Sequence, residues 1–118
     1  MADTLAELTR AALAFRDERD WAQFHALKHL LVSLVLEANE ALELTQWKSD
    51  AEVDALPQDP VAREALADEC ADVLVYLLLT AERAGIDLTA AFWRKLEKNA
   101  RKYPVDKSRG RREKYSRL

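Results

Sequence analysis

Two apolar stretches of this chain each carry a pair of carboxylates three residues apart, and that pattern constrains the fold more than any other feature. Glu37 and Glu40 follow Leu30-Leu31-Val32-Ser33-Leu34-Val35-Leu36, and Glu69 and Asp72 run directly into Val73-Leu74-Val75-Tyr76-Leu77-Leu78-Leu79. A strand would send successive side chains to opposite faces, whereas a helix turning about 100° per residue keeps each acidic pair on one side. On that helical count Glu37 lies only about 20° from Leu30 and about 60° from Leu34, inside the apolar stripe. Glu69 falls between Ala65 and Val73 and near Tyr76, with Asp72 on the edge shared with Leu79. Carboxylates so placed must be paired, coordinated to a cation or protonated.

The remaining composition agrees with helices. Two glycines and three prolines in 118 residues leave little material for hairpins, while Ala, Leu, Glu and Arg are abundant. The expectation is one all-α domain over residues 1–118, an antiparallel four-helix bundle with a helical body over about 3–103 and an extended basic tail over about 104–118. Asp3 or Thr4 caps a first helix carrying Leu5, Leu8, Ala12 and Phe15. Asp20 with Gln23 reads as a capping box for a second helix from Trp21 or soon after to about Thr45. Ser49 with Glu52 repeats that box for a short turn or linker. Asp59 and Pro60 open a third long helix that stops at Gly85, and Asp87 opens a fourth that stops before Pro104. No segment has the length or flanks of a membrane span or a secretion signal, and the single cysteine suits a reducing cytoplasm. Cys70 has no basic neighbour in its helix to activate it, so it reads as a buried structural thiol.

Charge is distributed unevenly. The net charge is −3, yet residues 101–118 carry eight basic and two acidic side chains, so a +6 tail follows a −9 body. Such a tail suits nucleic acid, the acidic body itself, or phosphates that the body reaches through metal ions. No base-reading element such as a helix-turn-helix is evident and the total charge is negative, which ranks nucleic acid well below the other two.

In a bundle the two acidic pairs face each other, and a four-carboxylate cluster selects a hard cation, Mg²⁺ or Mn²⁺. A di-iron site is disfavoured because no Glu-x-x-His motif is present. His25 and His29 lie one turn apart without an evident third ligand, so they read as hydrogen-bonded or surface imidazoles. Lys95, Asn99 and Lys102 recur at spacings of four and three and are followed by Tyr103, a set able to line one helical face toward phosphate. Trp47, seven residues after Glu40, would share nearly the same face and offer a ring for a base to stack on.

Glu37-x-x-Glu40 followed by Glu69-x-x-Asp72 resembles the signature of the MazG-like, all-α nucleoside triphosphate pyrophosphohydrolases. Arg19-Asp20-Trp21-Ala22-Gln23-Phe24-His25, Gln46-Trp47-Lys48, Lys95 with Asn99, Tyr103-Pro104, Ser108-Arg109-Gly110 and Lys114-Tyr115 are similar to the dCTP pyrophosphatase branch of that family. The resemblance implies cleavage between the α- and β-phosphates to a monophosphate and pyrophosphate, with Mg²⁺, in a homo-oligomer for which a tetramer is favoured over a dimer. It implies that Glu37, Glu40, Glu69 and Asp72 hold the metal and that Glu37 or Glu40 also orients the attacking water. It places Trp21 and Trp47 in a base pocket, and Ser108, Arg109 and Lys114 on phosphate from a neighbouring subunit. Sister activities on dUTP, on other noncanonical nucleotides or on phosphoribosyl-ATP are the nearest alternatives, with a non-enzymatic helical module behind them.

Overall fold

A computed structural model describes residues 4–118, and its described residues form helices and connecting turns with no strand. The order is α1 (Leu5–Glu18), α2 (Leu27–Glu43), α3 (Asp50–Ala55), α4 (Pro60–Arg83), α5 (Leu88–Lys102) and α6 (Val105–Ser108), with single 3₁₀ turns at Ala22–Phe24, Leu56–Gln58 and Tyr115–Arg117. The all-α expectation holds. The chain divides into two units, one ending at Gly85 and the other running Ile86–Leu118, and each is described by itself.

Local chemistry sets most boundaries in the first unit. The Thr4 hydroxyl accepts from the Glu7 amide at the start of α1, whereas Asp3 lies outside the described residues. Ser49 and Glu52 form a reciprocal capping box, so the expected linker is a true short helix, α3. At α4 the Asp59 carboxylate accepts from the Ala62 amide and Pro60 occupies the first turn, where its missing N–H costs nothing. Gly85 ends this helix with φ +67°, a conformation open to glycine without a Cβ penalty.

One helix start differs from expectation. Gln23 does meet Asp20, donating to its carbonyl at 3.0 Å and its carboxylate at 3.1 Å. These bonds close a turn in which Asp20 itself has φ +55°, and the chain passes through a 3₁₀ turn before α2 begins at Leu27. The pair therefore organises the connection instead of capping the helix. The other end of α2 also comes early, at Glu43, and residues 44–47 form a turn.

Packing concentrates on α4, which both α2 and α1 contact. Among the described residues the buried side chains are Leu30 from α2 and Leu78, Leu79, Thr80 and Ala81 from α4, with the Thr80 hydroxyl donating to the Tyr76 carbonyl at 2.7 Å. Leu30, at 2 % exposure, is the largest side chain fully withdrawn from solvent. Each such leucine contributes roughly 1.5–3 kcal/mol through removal of apolar surface from water.

In the second unit the Asp87 carboxylate caps α5 through the Ala90 amide, and Tyr103 closes the helix ahead of Pro104. The tail is more ordered than its lack of apolar periodicity suggests, since it contains α6 and the turn at Tyr115–Arg117. The rings of Tyr103 and Tyr115 meet edge to face at 6.0 Å and the Lys102 ammonium lies 5.0 Å from the Tyr115 ring centre. These contacts join positions far apart in sequence, which a helical-period reading does not detect. Because the first unit buries so few side chains completely, Leu30→Ala is expected to lower unfolding stability by about 2–5 kcal/mol in a denaturant titration, and Asp59→Ala by about 1 kcal/mol.

Candidate metal centre

The α2/α4 contact brings the acidic pairs together. Glu37 and Glu69 are half-buried on the packed sides of their helices, whereas Glu40 and Asp72 are exposed. Oxygens of Glu37, Glu40 and Glu69 lie within 4.8 Å of one another. Asp72 stands outside this trio but close enough for its charge to act on both Glu37 and Glu69. Among the described residues this is the one group of His, Cys, Asp and Glu side chains placed to share a metal ion.

Electrostatics within the trio are unfavourable without a cation. The Glu69 carboxyl is pushed up to about 7, first by a carboxyl–carboxyl hydrogen bond with Glu40, then by burial and by the charges of Glu40, Glu37 and Asp72. Glu37 is also raised, chiefly by burial and secondarily by Glu40 and Asp72. One oxygen of Glu37 and one of Glu69 are buried with no hydrogen-bond partner. Buried acceptors without donors, on two helices aimed at one space, fit a hard cation bound through oxygen. With no cation a proton is retained instead.

Other residues singled out from the sequence fall in several places. Trp47 follows the end of α2, with φ +65° and 93 % exposure, so the helical register that set it on the face of Glu40 does not extend to it. A left-handed backbone costs a bulky residue roughly 1–2 kcal/mol, and here it projects a whole indole into solvent. Trp21 meets Phe15 edge to face at 5.8 Å, and the Arg19 guanidinium lies 3.6 Å from the Phe15 ring centre. This aromatic and guanidinium stack was not anticipated, although Phe15 and Arg19 stand one helical turn apart in the sequence.

His25 is half-buried with its Nδ1 atom unpartnered, and burial followed by the charge of Arg16 lowers its pKa. His29 is exposed. Cys70 is also exposed, contrary to the buried thiol expected. One residue past Glu69, it is turned about 100° away from the packed face.

The phosphate-binding candidates Lys95, Asn99, Lys102, Tyr103, Ser108, Arg109 and Lys114 all lie in the second unit. Lys95, Lys102, Arg109 and Lys114 are exposed, Asn99 is half-buried, and the Ser108 hydroxyl is buried without a partner. Tyr115, which engages both Lys102 and Tyr103, was missed as an organiser of this segment.

The raised carboxyls set a pH dependence. Unfolded glutamates ionise near 4.5, so the folded chain binds more protons between that value and about 7. Stability from this source is therefore present below the unfolded pKa and lost as pH rises through the folded one. The melting temperature of the metal-free protein is expected to fall from pH 5 to pH 8. Addition of Mg²⁺ at pH 8 should recover it and Glu69→Gln should flatten the fall; a pH-independent melting temperature in the wild-type chain would remove the basis for the site.

Comparison with known proteins gives this geometry a family. A family model described as MazG-like matches residues 32–118. The chain is 45% identical to dCTP pyrophosphatase 1 of Rattus norvegicus over 115 residues, 98% of this chain and 68% of the relative. Identity to dCTP pyrophosphatase 1 of Homo sapiens is 42% over the same shares. Among solved structures it is similar to a pyrophosphatase from Archaeoglobus fulgidus, with a TM-score of 0.77 and 40% identity, covering 88% of this chain and 95% of that one. With a family model spanning most of its length and the acidic pairs of α2 and α4 brought together, this chain belongs to the MazG-like family.

Proposed function

We propose that this chain is a nucleoside triphosphate pyrophosphohydrolase that cleaves the α–β phosphoanhydride of dCTP or a related modified deoxynucleotide. The observation that carries the reading is the meeting of Glu37, Glu40 and Glu69 across α2 and α4, with buried acceptor oxygens that have no donor. Its support from relatives is the 42–45% identity to enzymes named dCTP pyrophosphatase 1.

Glu37, Glu40, Glu69 and Asp72 would hold the divalent cation, Mg²⁺ or in its place Mn²⁺. A cation bound there supplies charge neutralisation for the triphosphate and for the oxygen that leaves with pyrophosphate. Glu69, whose carboxyl is pushed up to about 7, would have to be deprotonated to serve as a ligand. Glu37 or Glu40 accepts a hydrogen bond from the water and orients it toward the α-phosphorus. Water's oxygen joins that phosphorus as its proton passes to the orienting carboxylate, the bond to the bridging oxygen breaks, and that oxygen departs with pyrophosphate and the bonding electron pair.

Trp21 and Trp47 are assigned to the base, for which exposed indole faces are suited. Lys95, Asn99, Lys102, Tyr103, Ser108, Arg109 and Lys114 are assigned to phosphate recognition. No described helix is long and apolar enough to cross a membrane. The proposed setting is the cytoplasm, where a homo-oligomer, a tetramer in preference to a dimer, would clear unwanted deoxynucleotides.

Incubation with each nucleoside triphosphate and Mg²⁺, followed by separate measurement of pyrophosphate and orthophosphate, tests the reading. Pyrophosphate release, fastest with dCTP or a modified form, is expected. Orthophosphate would relocate cleavage to the β–γ bond, and neither product would favour a binding module. Glu40→Ala and Asp72→Ala should each lower kcat at least about 100-fold while circular dichroism remains helical.

A further inference from the structure

The connection between α1 and α2 holds three side chains in a stack that no core requires. Phe15 and Arg19 stand one turn apart at the end of α1, so the guanidinium lies over the ring, 3.6 Å from its centre, while its Nη1 donates to the Phe15 carbonyl at 2.9 Å. A continued helix would turn Trp21 about 120° away from that ring. The left-handed turn at Asp20, φ +55°, brings it back: the Trp21 amide donates to the Arg16 carbonyl at 3.1 Å, and the indole meets the Phe15 ring edge to face at 5.8 Å. Gln23 fixes that turn through its two bonds to Asp20. Phe15 is 51% exposed, Trp21 44% and the Arg19 side chain 40%, so removal of apolar surface from water explains little of the arrangement. Ordering an arginine and two aromatic rings at the surface opposes side-chain entropy, and the left-handed φ strains Asp20; what the stack achieves is a fixed indole. Trp47 has no such support, being 93% exposed and, among the described residues, in no aromatic pair.

We propose that Phe15 and Arg19 are positioning residues for nucleotide binding: they act through Trp21, holding its indole in one orientation before the base arrives. This role rests on the assignment of Trp21 to the base made above, and it places control of affinity on two residues that need not touch the nucleotide. A platform already oriented loses less freedom when a base stacks on it, so the same contact binds more tightly. The Arg19 guanidinium is committed to the Phe15 ring and carbonyl, which distinguishes it from the cations assigned to phosphate. None of the three side chains belongs to the acidic cluster. Loss of the stack therefore weakens binding in the ground and transition states alike and leaves the chemical step intact.

Steady-state pyrophosphate release from dCTP with Mg²⁺, read beside the fluorine NMR spectrum of protein labelled with fluorotryptophan, tests the brace. Phe15→Ala is expected to raise KM about tenfold with kcat within about twofold, Arg19→Ala to raise it about threefold, and Phe15→Tyr, which keeps the ring, to restore it. Trp21→Ala should itself raise KM, and in that background Phe15→Ala should add nothing, since its effect passes through the indole. The Trp21 resonance, identified by its loss in Trp21→Ala, should shift in Phe15→Ala while that of Trp47 stays in place. Circular dichroism should remain helical, and Arg19→Ala, which leaves both rings present, keeps the test independent of any loss of fold in Phe15→Ala. A Trp21 resonance unmoved by Phe15→Ala, or a Phe15→Ala effect that persists in full without Trp21, overturns the brace. A KM unchanged by Arg19→Ala removes Arg19 from it. Trp21→Ala raising KM while Phe15→Ala does not overturns the brace and leaves the base assignment standing, whereas an unchanged KM in Trp21→Ala overturns the base assignment and the brace with it.

Discussion

The structure depends on a conflict between packing and charge at the α2/α4 contact. Leu30 and the half-buried Leu34, Ala65, Val73 and Tyr76 draw these helices together, and the same register turns Glu37 and Glu69 toward each other. Apolar burial and carboxylate repulsion are therefore set by one helical phase and cannot be relieved independently. Rotating either helix to release its acid would expose the apolar side chains beside it. The conflict shows in the Glu69 carboxyl, which is pushed up to about 7 by its neighbours and by burial. The clustering of the carboxylates is in this sense a consequence of how the helices pack.

Burial is unevenly distributed along α4. Its last two turns hold Leu78, Leu79, Thr80 and Ala81 out of solvent, while the acidic turn before them is open enough for Asp72 to remain exposed. A rigid end next to a partly open site lets the carboxylates be held by backbone geometry and still reach a ligand. The sparse interior also gives terminal caps unusual weight, since Thr4, Ser49, Asp59 and Asp87 each satisfy a helix-end amide that would otherwise depend on water.

Features governed by neighbouring residues were legible in the sequence. Capping at Ser49, Asp59 and Asp87, the stop at Gly85 and the placement of each acidic pair on one helical side all follow from interactions within one turn, and all are present. Features that depend on where the chain goes next were not. Asp20 and Gln23 have the residue types of a capping box but close a left-handed turn, because the connection must redirect the chain before Leu27. Trp47 lost its assumed helical register when α2 ended at Glu43. Cys70 was assigned to the interior from its apolar neighbours, though its phase on α4 turns it to solvent. Tyr115 was overlooked because its partners, Lys102 and Tyr103, are too far away in sequence for periodicity to connect them.

The sequence by itself determined that the chain would be helical, where most of its helices would begin and end, and that four carboxylates would sit on apolar helices needing compensation. These properties arise from dihedral preference, capping and a 3.6-residue period, all of which act over a few residues. Tertiary structure decided which three of those carboxylates meet closely, that the Glu69 carboxyl would be pushed up to about 7, and that one face of α2 would remain uncovered. Each of those outcomes depends on the distance between groups on different helices, and electrostatic energy and burial are functions of that distance, which no local pattern encodes.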